Sequence, residues 1–364
     1  MLSVNSKSIT PLTSVLVIMT FISTLFLPQP LSHSQADMVM PQRGMCYVTW
    51  DKNRFSTRYS DESLEKLSGL GVDHISIIPT RYQDSYNSTD IKKTDKTPSD
   101  SSVKHAIRKA HKLGLKVMLK PHIDLIDKYD GTYWRADIGF SRDKDWEKWF
   151  REYKKFILHY ARMAERLDVE IFCVGTELSF TTQKNDYWQN ELIPAIKKVY
   201  TGKLVYAANW DNFKNIKFWK DLDYIGIDAY FPLTYKQDPT LEELKEGWKK
   251  WIHEIEAWRL TVNKPIIFTE IGYPSTPHAP YTPWKGGSDG NADQEIQARC
   301  YEAFFDTVWD KEWLAGVYWW KWDTNIHAGG EHNRHFTPQN KPAQSIIESH
   351  YKKYLKFSTY AKSG

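Results

Sequence analysis

Short apolar runs alternate along this chain with longer stretches in which apolar and aromatic residues recur every three or four positions. The short runs, bounded by Gly or Pro, read as strands buried on both faces, and the longer stretches as amphipathic helices. Strands are predicted over residues 44–50, 72–79, 115–122, 204–210, 224–230 and 316–322, with a fourth ending at Glu177 and a seventh ending at Glu270. Helices are predicted over 61–70, 102–113, 145–167, 190–200, 241–263 and 292–310, with a short turn of helix at 216–219. Gly71, Gly114 and Gly202 mark stops, as glycine does where a chain leaves a helix. A polar loop is expected over 80–100, a long loop after the third strand, and a Pro- and Gly-rich loop over 274–290. Eight strands with helical segments in nearly every gap predict one α/β domain, a single (β/α)8 barrel. The alternative is an open doubly wound sheet, which usually opens on a glycine fingerprint. Neither GxGxxG nor a phosphate-binding GxxxxGKS/T occurs.

The 364 residues suffice for such a barrel, which needs about 250. Ahead of it stand Lys7, an apolar run from Val15 to Leu27, Pro28 and Pro30, and the small residues of Ser34-Gln35-Ala36. Residues 1–36 are therefore expected to be a signal peptide, with an uncleaved anchor as the alternative, and residues 37–364 the folded domain. A secreted or periplasmic location follows, with no stable membrane insertion after cleavage. Losing Lys7 takes the net charge from +4 to +3. That field is too weak to suggest a nucleic-acid partner. Cys46, Cys173 and Cys300 lie far apart and form no CxxC, so neither a zinc site nor a disulfide framework is indicated. Cys46 and Cys173 fall in strand-like segments and read as buried thiols, one disulfide being left open. Asn87-Ser88-Thr89 is a glycosylation sequon and marks a surface loop. A monomer is expected.

Aromatic residues make up 15% of the chain, with 16 Trp and 21 Tyr. Trp146, Trp149, Phe150, Tyr153 and Phe156 fall at helical spacing and read as packing. The excess beyond such positions favours a surface on which indoles stack against the apolar faces of sugar rings.

The chemistry of a parallel barrel collects at the C-terminal ends of its strands. By alternation, Cys173, Gly175 and Glu177 share one face of the fourth strand, and Ile266, Phe268 and Glu270 one face of the seventh. If those rows point inward, the two carboxyls face each other across one mouth. The alternative for either alone is a structural ion pair with a Lys or Arg. Two carboxyls about 5–5.5 Å apart suit hydrolysis of a glycosidic bond with retention, and roughly 6.5–9.5 Å suits inversion.

Five segments occur in order: LKPHIDL (119–125), GTELSF (175–180), IGIDAYFPL (225–233), FTEIGYPS (268–275) and YWWKWD (318–323). Together they resemble glycoside hydrolase family 113, over roughly residues 44–323. The resemblance implies a (β/α)8 retaining glycosidase with β-1,4-mannanase activity, Glu177 as general acid/base and Glu270 as nucleophile, with no cofactor. The partner would be a polysaccharide or oligosaccharide. Many members of the wider clan carry Asn just before the acid/base glutamate, where it holds the sugar 2-hydroxyl; here that position is Thr176.

Further strand-end residues suit a sugar site. Lys120 and His122 share a face of the third strand, with His122 a candidate hydroxyl ligand. Asp228 and Tyr230 share one of the sixth, and the resemblance makes Tyr230 the partner of the nucleophile. Trp320 and Trp322 share a face of the eighth and would form a stacking floor. Trp50 and Trp210 end the first and fifth, and Trp134 and Arg135 would reach in from the third loop. For each Trp the alternative is rim packing. His327, His332 and His335 read as a polar loop, with weak metal binding as a lesser possibility. Other functional classes remain: a β-glycosidase for a glucan or galactan, or a carbohydrate-binding barrel without activity. A metal-dependent barrel hydrolase needs His and Asp ligands on the first strand, which offers neither.

Overall fold

The computed structural model describes residues 40–287 and 291–360; the predicted signal peptide lies outside the described residues. In chain order the strands are β1 (Gln42–Val48), β2 (His74–Ile78), β3 (Thr80–Gln83), β4 (Lys116–Leu119), β5 (His122–Leu125), β6 (Ile171–Thr176), β7 (Lys203–Asn209), β8 (Tyr224–Asp228), β9 (Ile266–Ile271) and β10 (Leu314–Asp323). Eight of them close a barrel in the order β1-β10-β9-β8-β7-β6-β4-β2, every pair parallel. The helices are α1 (Arg58–Gly69), α2 (Asp100–Lys112), α3 (Asp143–Glu165), α4 (Ile193–Lys197), α5 (Leu241–Arg259), α6 (Gln294–Thr307) and α7 (Pro342–Tyr360). The (β/α)8 barrel that the alternation predicts is the fold observed.

Two departures have a common cause. The predicted third strand is split: Lys116–Leu119 stays in the barrel, while His122–Leu125 leaves it to pair with Thr80–Gln83, at the start of the expected polar loop. Pro79 and Pro121 stand at the two breaks. Proline has no N–H to give the ladder, so each barrel strand ends there and a small second sheet begins. Between β7 and β8 the expected helix at 216–219 is replaced by two 3-10 turns, Phe213–Asn215 and Trp219–Asp221. The closing helix α7 was not predicted.

Local signals hold the helices. Thr57, Ser99, Thr240 and Asp293 cap α1, α2, α5 and α6 by accepting a backbone N–H, and Glu243 returns a bond to Thr240. Gly71 and Gly114 follow α1 and α2 at φ +86° and +76°, where a side chain would be strained.

The core has two layers. Cys46, Val48, Ile78, Met118, Ile171, Cys173, Val205, Ala207, Ile267 and Tyr318 fill the barrel. All three cysteines are buried free thiols. The larger layer lies between strands and helices and contains Trp149, Trp188, Trp248, Trp309, Trp319 and Trp322. Each such ring buries about 150–250 Å². Much of the aromatic excess is therefore structural, not a sugar surface.

Candidate active site

Alternation alone does not aim the two glutamates into the mouth. Along β9 it is Ile267 that fills the barrel, while Ile266 and Phe268 pack in the outer layer. This reverses the parity expected from the sequence. A bulge corrects it: Ile227 pairs with Phe268 but Asp228 with Glu270, and Val317 with Phe268 but Trp319 with Ile271. The extra residue lets Thr269 and Glu270 both meet inward-facing partners.

β6 uses the same device. Cys173 pairs with Val205, and Thr176 with Ala207. Val174 lies in the outer layer and Gly175 turns the same way: a Cβ there would come within 2.9 Å of Trp188, Tyr153 and Tyr206. Gly175 is therefore not on the face of Cys173, as alternation had it. The chain then passes through Glu177 at φ +52°, a left-handed conformation costing about 1 kcal/mol or more outside glycine. The Glu177 N–H donates to Ala207 O at 2.8 Å and the Leu178 N–H to the Tyr206 hydroxyl at 2.9 Å, and these bonds hold the turn.

Glu270 is surrounded by donors. The Lys120 ammonium donates to its Oε1 at 2.6 Å and the Tyr230 hydroxyl to its Oε2 at 2.7 Å. Lys120 also reaches Asp228 Oδ1 at 3.2 Å, and Thr269 Oγ1 donates to the same oxygen at 2.7 Å. Burial disfavours the Lys120 charge, but Asp228 and Glu270 outweigh it and push the group above its ordinary range, so it stays an ammonium. Burial and then the charge of Glu270 push the Asp228 carboxyl up, against the opposing pull of Lys120. Burial and the same carboxylate hold the Tyr230 hydroxyl protonated. His122 Nε2 stands 3.7 Å from Glu270 Oε1. Burial, Arg135 and Lys120 depress the His122 imidazole, which is therefore neutral and makes no ion pair. Its Nε2 has no hydrogen-bond partner among the described residues.

Glu177 has a different setting. It is 5% exposed, and its charged partner is Arg135, whose Nη1 donates to Oε2 at 2.7 Å. Burial drives the Glu177 carboxyl up, Arg135 opposes it, Glu270 adds to it, and the result is a pKa of about 7. Arg135 is fixed by a bond from Nε to Ile123 O at 2.9 Å and lies 3.8 Å from Asp124.

Both glutamates line one cavity of about 620 Å³ at the C-terminal mouth. Trp134, Arg135, Trp210, Tyr230 and Trp320 line it with them. Asn209, Asp211, Trp284 and Phe336 also line it and were not singled out from the sequence. Trp284 stacks on Trp210 with centroids 5.5 Å apart, and Trp320 lies parallel to His122 at 6.3 Å. Three expectations need correction. Lys120 and Asp228 are wholly buried and act on Glu270 from below, with no surface to offer a substrate. Trp322 does not share the face of Trp320: β10 shifts register between Trp319 and Trp322, and the indole is buried, donating to Ser63 Oγ at 2.9 Å. Trp50 lies past the end of β1 on a neighbouring cavity.

A carboxylic acid that holds its proton near neutrality, beside a carboxylate fed by two donors, is the pair that glycosidic cleavage needs. The family model for Glycoside Hydrolase Family 113 matches residues 46–341. The chain belongs to that family. It is accordingly a glycosidase.

Among solved structures, a family 113 β-1,4-mannanase in complex form is 28% identical, with a TM-score of 0.77 over 86% of this chain and 99% of that one. A family 113 β-mannanase from Alicyclobacillus acidocaldarius, in complex with ManMIm, is 25% identical, with a TM-score of 0.78 over 86% and 98%. The endo-β-1,4-mannanase from Thermotoga petrophila, at 14% identity and a TM-score of 0.52, covering 86% and 77%, shares the fold. No curated protein matches the chain by sequence. Among the described residues no group of three or more His, Cys, Asp or Glu is placed to hold a metal ion.

Proposed function

We propose that this family 113 enzyme is a retaining β-1,4-mannanase acting on mannan or manno-oligosaccharides. The observation that carries the reading is the contrast between two carboxyls in one cavity: Glu177 raised to about 7 by burial, Glu270 held by Lys120 and Tyr230. Similarity to solved family 113 β-mannanases supports the sugar.

In the first step Glu270 attacks the anomeric carbon. The glycosidic C–O bond breaks as the Glu177 proton passes to the leaving oxygen. In the second, Glu177 takes a proton from water, the water oxygen attacks the same carbon, and Glu270 leaves. Arg135 stabilises the Glu177 carboxylate between the two steps. Side chains and water supply every proton and electron pair, so no cofactor enters.

Thr176 is buried against Cys173 at 3.7 Å, so the 2-hydroxyl contact falls to Asn209, at the end of β7, or to His122, which opens β5. Residues 1–36 would act as a leader that takes the enzyme out of the cytoplasm, which N-terminal sequencing of the exported protein tests.

The functional test is hydrolysis of β-linked polysaccharides by the mature protein beside its Glu270→Ala variant. Cleavage of mannan that disappears in the variant supports the reading. Cleavage of a glucan or galactan instead keeps the glutamates but rejects the sugar. Binding of mannan without cleavage rejects the mechanism.

A further inference from the structure

The segment joining β10 to α7 brings Phe336 into the lining of the catalytic cavity. Its ring meets the Tyr230 ring edge-on, with centroids 6.1 Å apart and planes at 70°. Tyr230 is the phenol that donates to Glu270. The same Phe336 ring lies against Gly272, two residues past Glu270: a Cβ there would stand 3.2 Å from Phe336 Cδ1. One side chain therefore packs on the donor to the nucleophile and on the chain that carries the nucleophile.

Two buried side chains fix Phe336 in that place. Gln297, on α6, donates from a single amide nitrogen to Tyr273 O at 2.8 Å and to Phe336 O at 3.0 Å. Lys341, just ahead of α7, donates to Ser275 Oγ and to His335 O, each at 2.7 Å. The Ser275 hydroxyl in turn donates to Asn333 O at 2.6 Å. Gln297 ties residue 273 to 336, and Lys341 ties residue 275 to 335. The loop is thus fastened twice to the chain leaving β9.

Lys341 is an unfavourable residue to bury. It is 5% exposed, and among the described residues no carboxylate stands within ion-pair distance of it. Burial pushes its amine down to about 7. A methionine would fill similar space without that penalty. What the amine adds is two directed bonds, one to each of the two strand-end loops.

We propose that Lys341 is a positioning residue for the reaction: it locks Phe336 against Tyr230, and Phe336 keeps the phenol aimed at Glu270. The inference rests on the reading of the enzyme as a mannanase with Glu270 as nucleophile, and it names the residues that hold the donor to that nucleophile in place.

The test is a pair of double-mutant cycles, reading kcat and KM on mannotetraose with the full-length enzyme. Lys341→Met and Phe336→Leu are each made in the wild type and in Tyr230→Phe, which keeps the ring but has no hydroxyl to aim. In the wild-type background each lowers kcat about three- to tenfold, the size of one hydrogen bond, and Lys341→Met leaves KM within about twofold. In the Tyr230→Phe background each lowers kcat by less than about twofold, because the two changes remove the same interaction. A packing defect unconnected with the hydroxyl would multiply with its loss instead. Losses that multiply in Tyr230→Phe, or no loss in the wild type, overturn this inference and leave the two glutamates in their roles. The Phe336→Leu cycle reads the same coupling with Lys341 in place, so a Lys341→Met variant that does not fold still leaves the coupling open to refutation. Failure of the wild type to hydrolyse mannotetraose, or hydrolysis that survives Glu270→Ala, overturns the mannanase reading and this inference with it.

Discussion

The ends of β6 and β9 carry the same residue and treat it in opposite ways. At β9 a buried ammonium and a phenol converge on Glu270. At β6 the chain is bent through a left-handed residue to bury Glu177, and one guanidinium only partly offsets the loss of water. Position in the barrel is equivalent, so in the proposed mechanism it is the environment that would separate a group that gives up a proton from one that attacks. The difference lies in what stands behind each carboxyl: Lys120 and Asp228 below Glu270, Arg135 from a loop beside Glu177.

Removing the support on one side should have the largest effect. Lys120→Met leaves Asp228 and Glu270 buried without a counter-charge. A fall in kcat of roughly 10²-fold or more is expected, with stability lowered by about 3–5 kcal/mol, read from steady-state kinetics and thermal melts. Tyr230→Phe removes one donor from Glu270 and leaves the ammonium. It should lower kcat roughly tenfold while the melting temperature moves little.

On the other side, hydrolysis by the wild type should decline as pH rises through about 7, because ionised Glu177 has no proton for the leaving oxygen. Arg135 holds that carboxyl down, so Arg135→Gln should move the alkaline limb up by about one unit, along with a loss of rate. A limb that stays in place would mean that Arg135 does not act on Glu177. The smallest effect should come from Trp322→Phe. Because that indole packs behind the sheet, KM should stay within about twofold while the melting temperature falls.

Which parts of this site were legible follows from what leaves a periodic trace. Short apolar runs ending in Glu177 and Glu270 were enough for the barrel and for both carboxyls. Strict alternation nonetheless puts the wrong residues on their faces, because the bulges at Gly175 and Thr269 shift parity without disturbing the apolar pattern. The same blindness placed Trp322 beside Trp320. Pro79 and Pro121 were visible ladder stops that could have revealed the second sheet. Ala343, Ile347 and Tyr351, buried at helical spacing in α7, were equally readable. Trp284 and Phe336 come from loops whose course is set by tertiary contacts. Phe336 is held by the Gln297 amide, which donates to its carbonyl at 3.0 Å, a contact between residues 39 apart in sequence.

The most direct test sets Glu177→Ala against Glu270→Ala on mannan and on an aryl β-mannobioside whose leaving group needs no proton. On mannan both variants should lose roughly 10³-fold or more. On the activated substrate Glu177→Ala should release a burst of phenolate and then turn over slowly, its glycosyl-enzyme waiting for a base, while Glu270→Ala stays inactive. A burst from Glu270→Ala, or a Glu177→Ala variant that loses as much on the activated substrate as on mannan, would contradict the division of roles between the two glutamates.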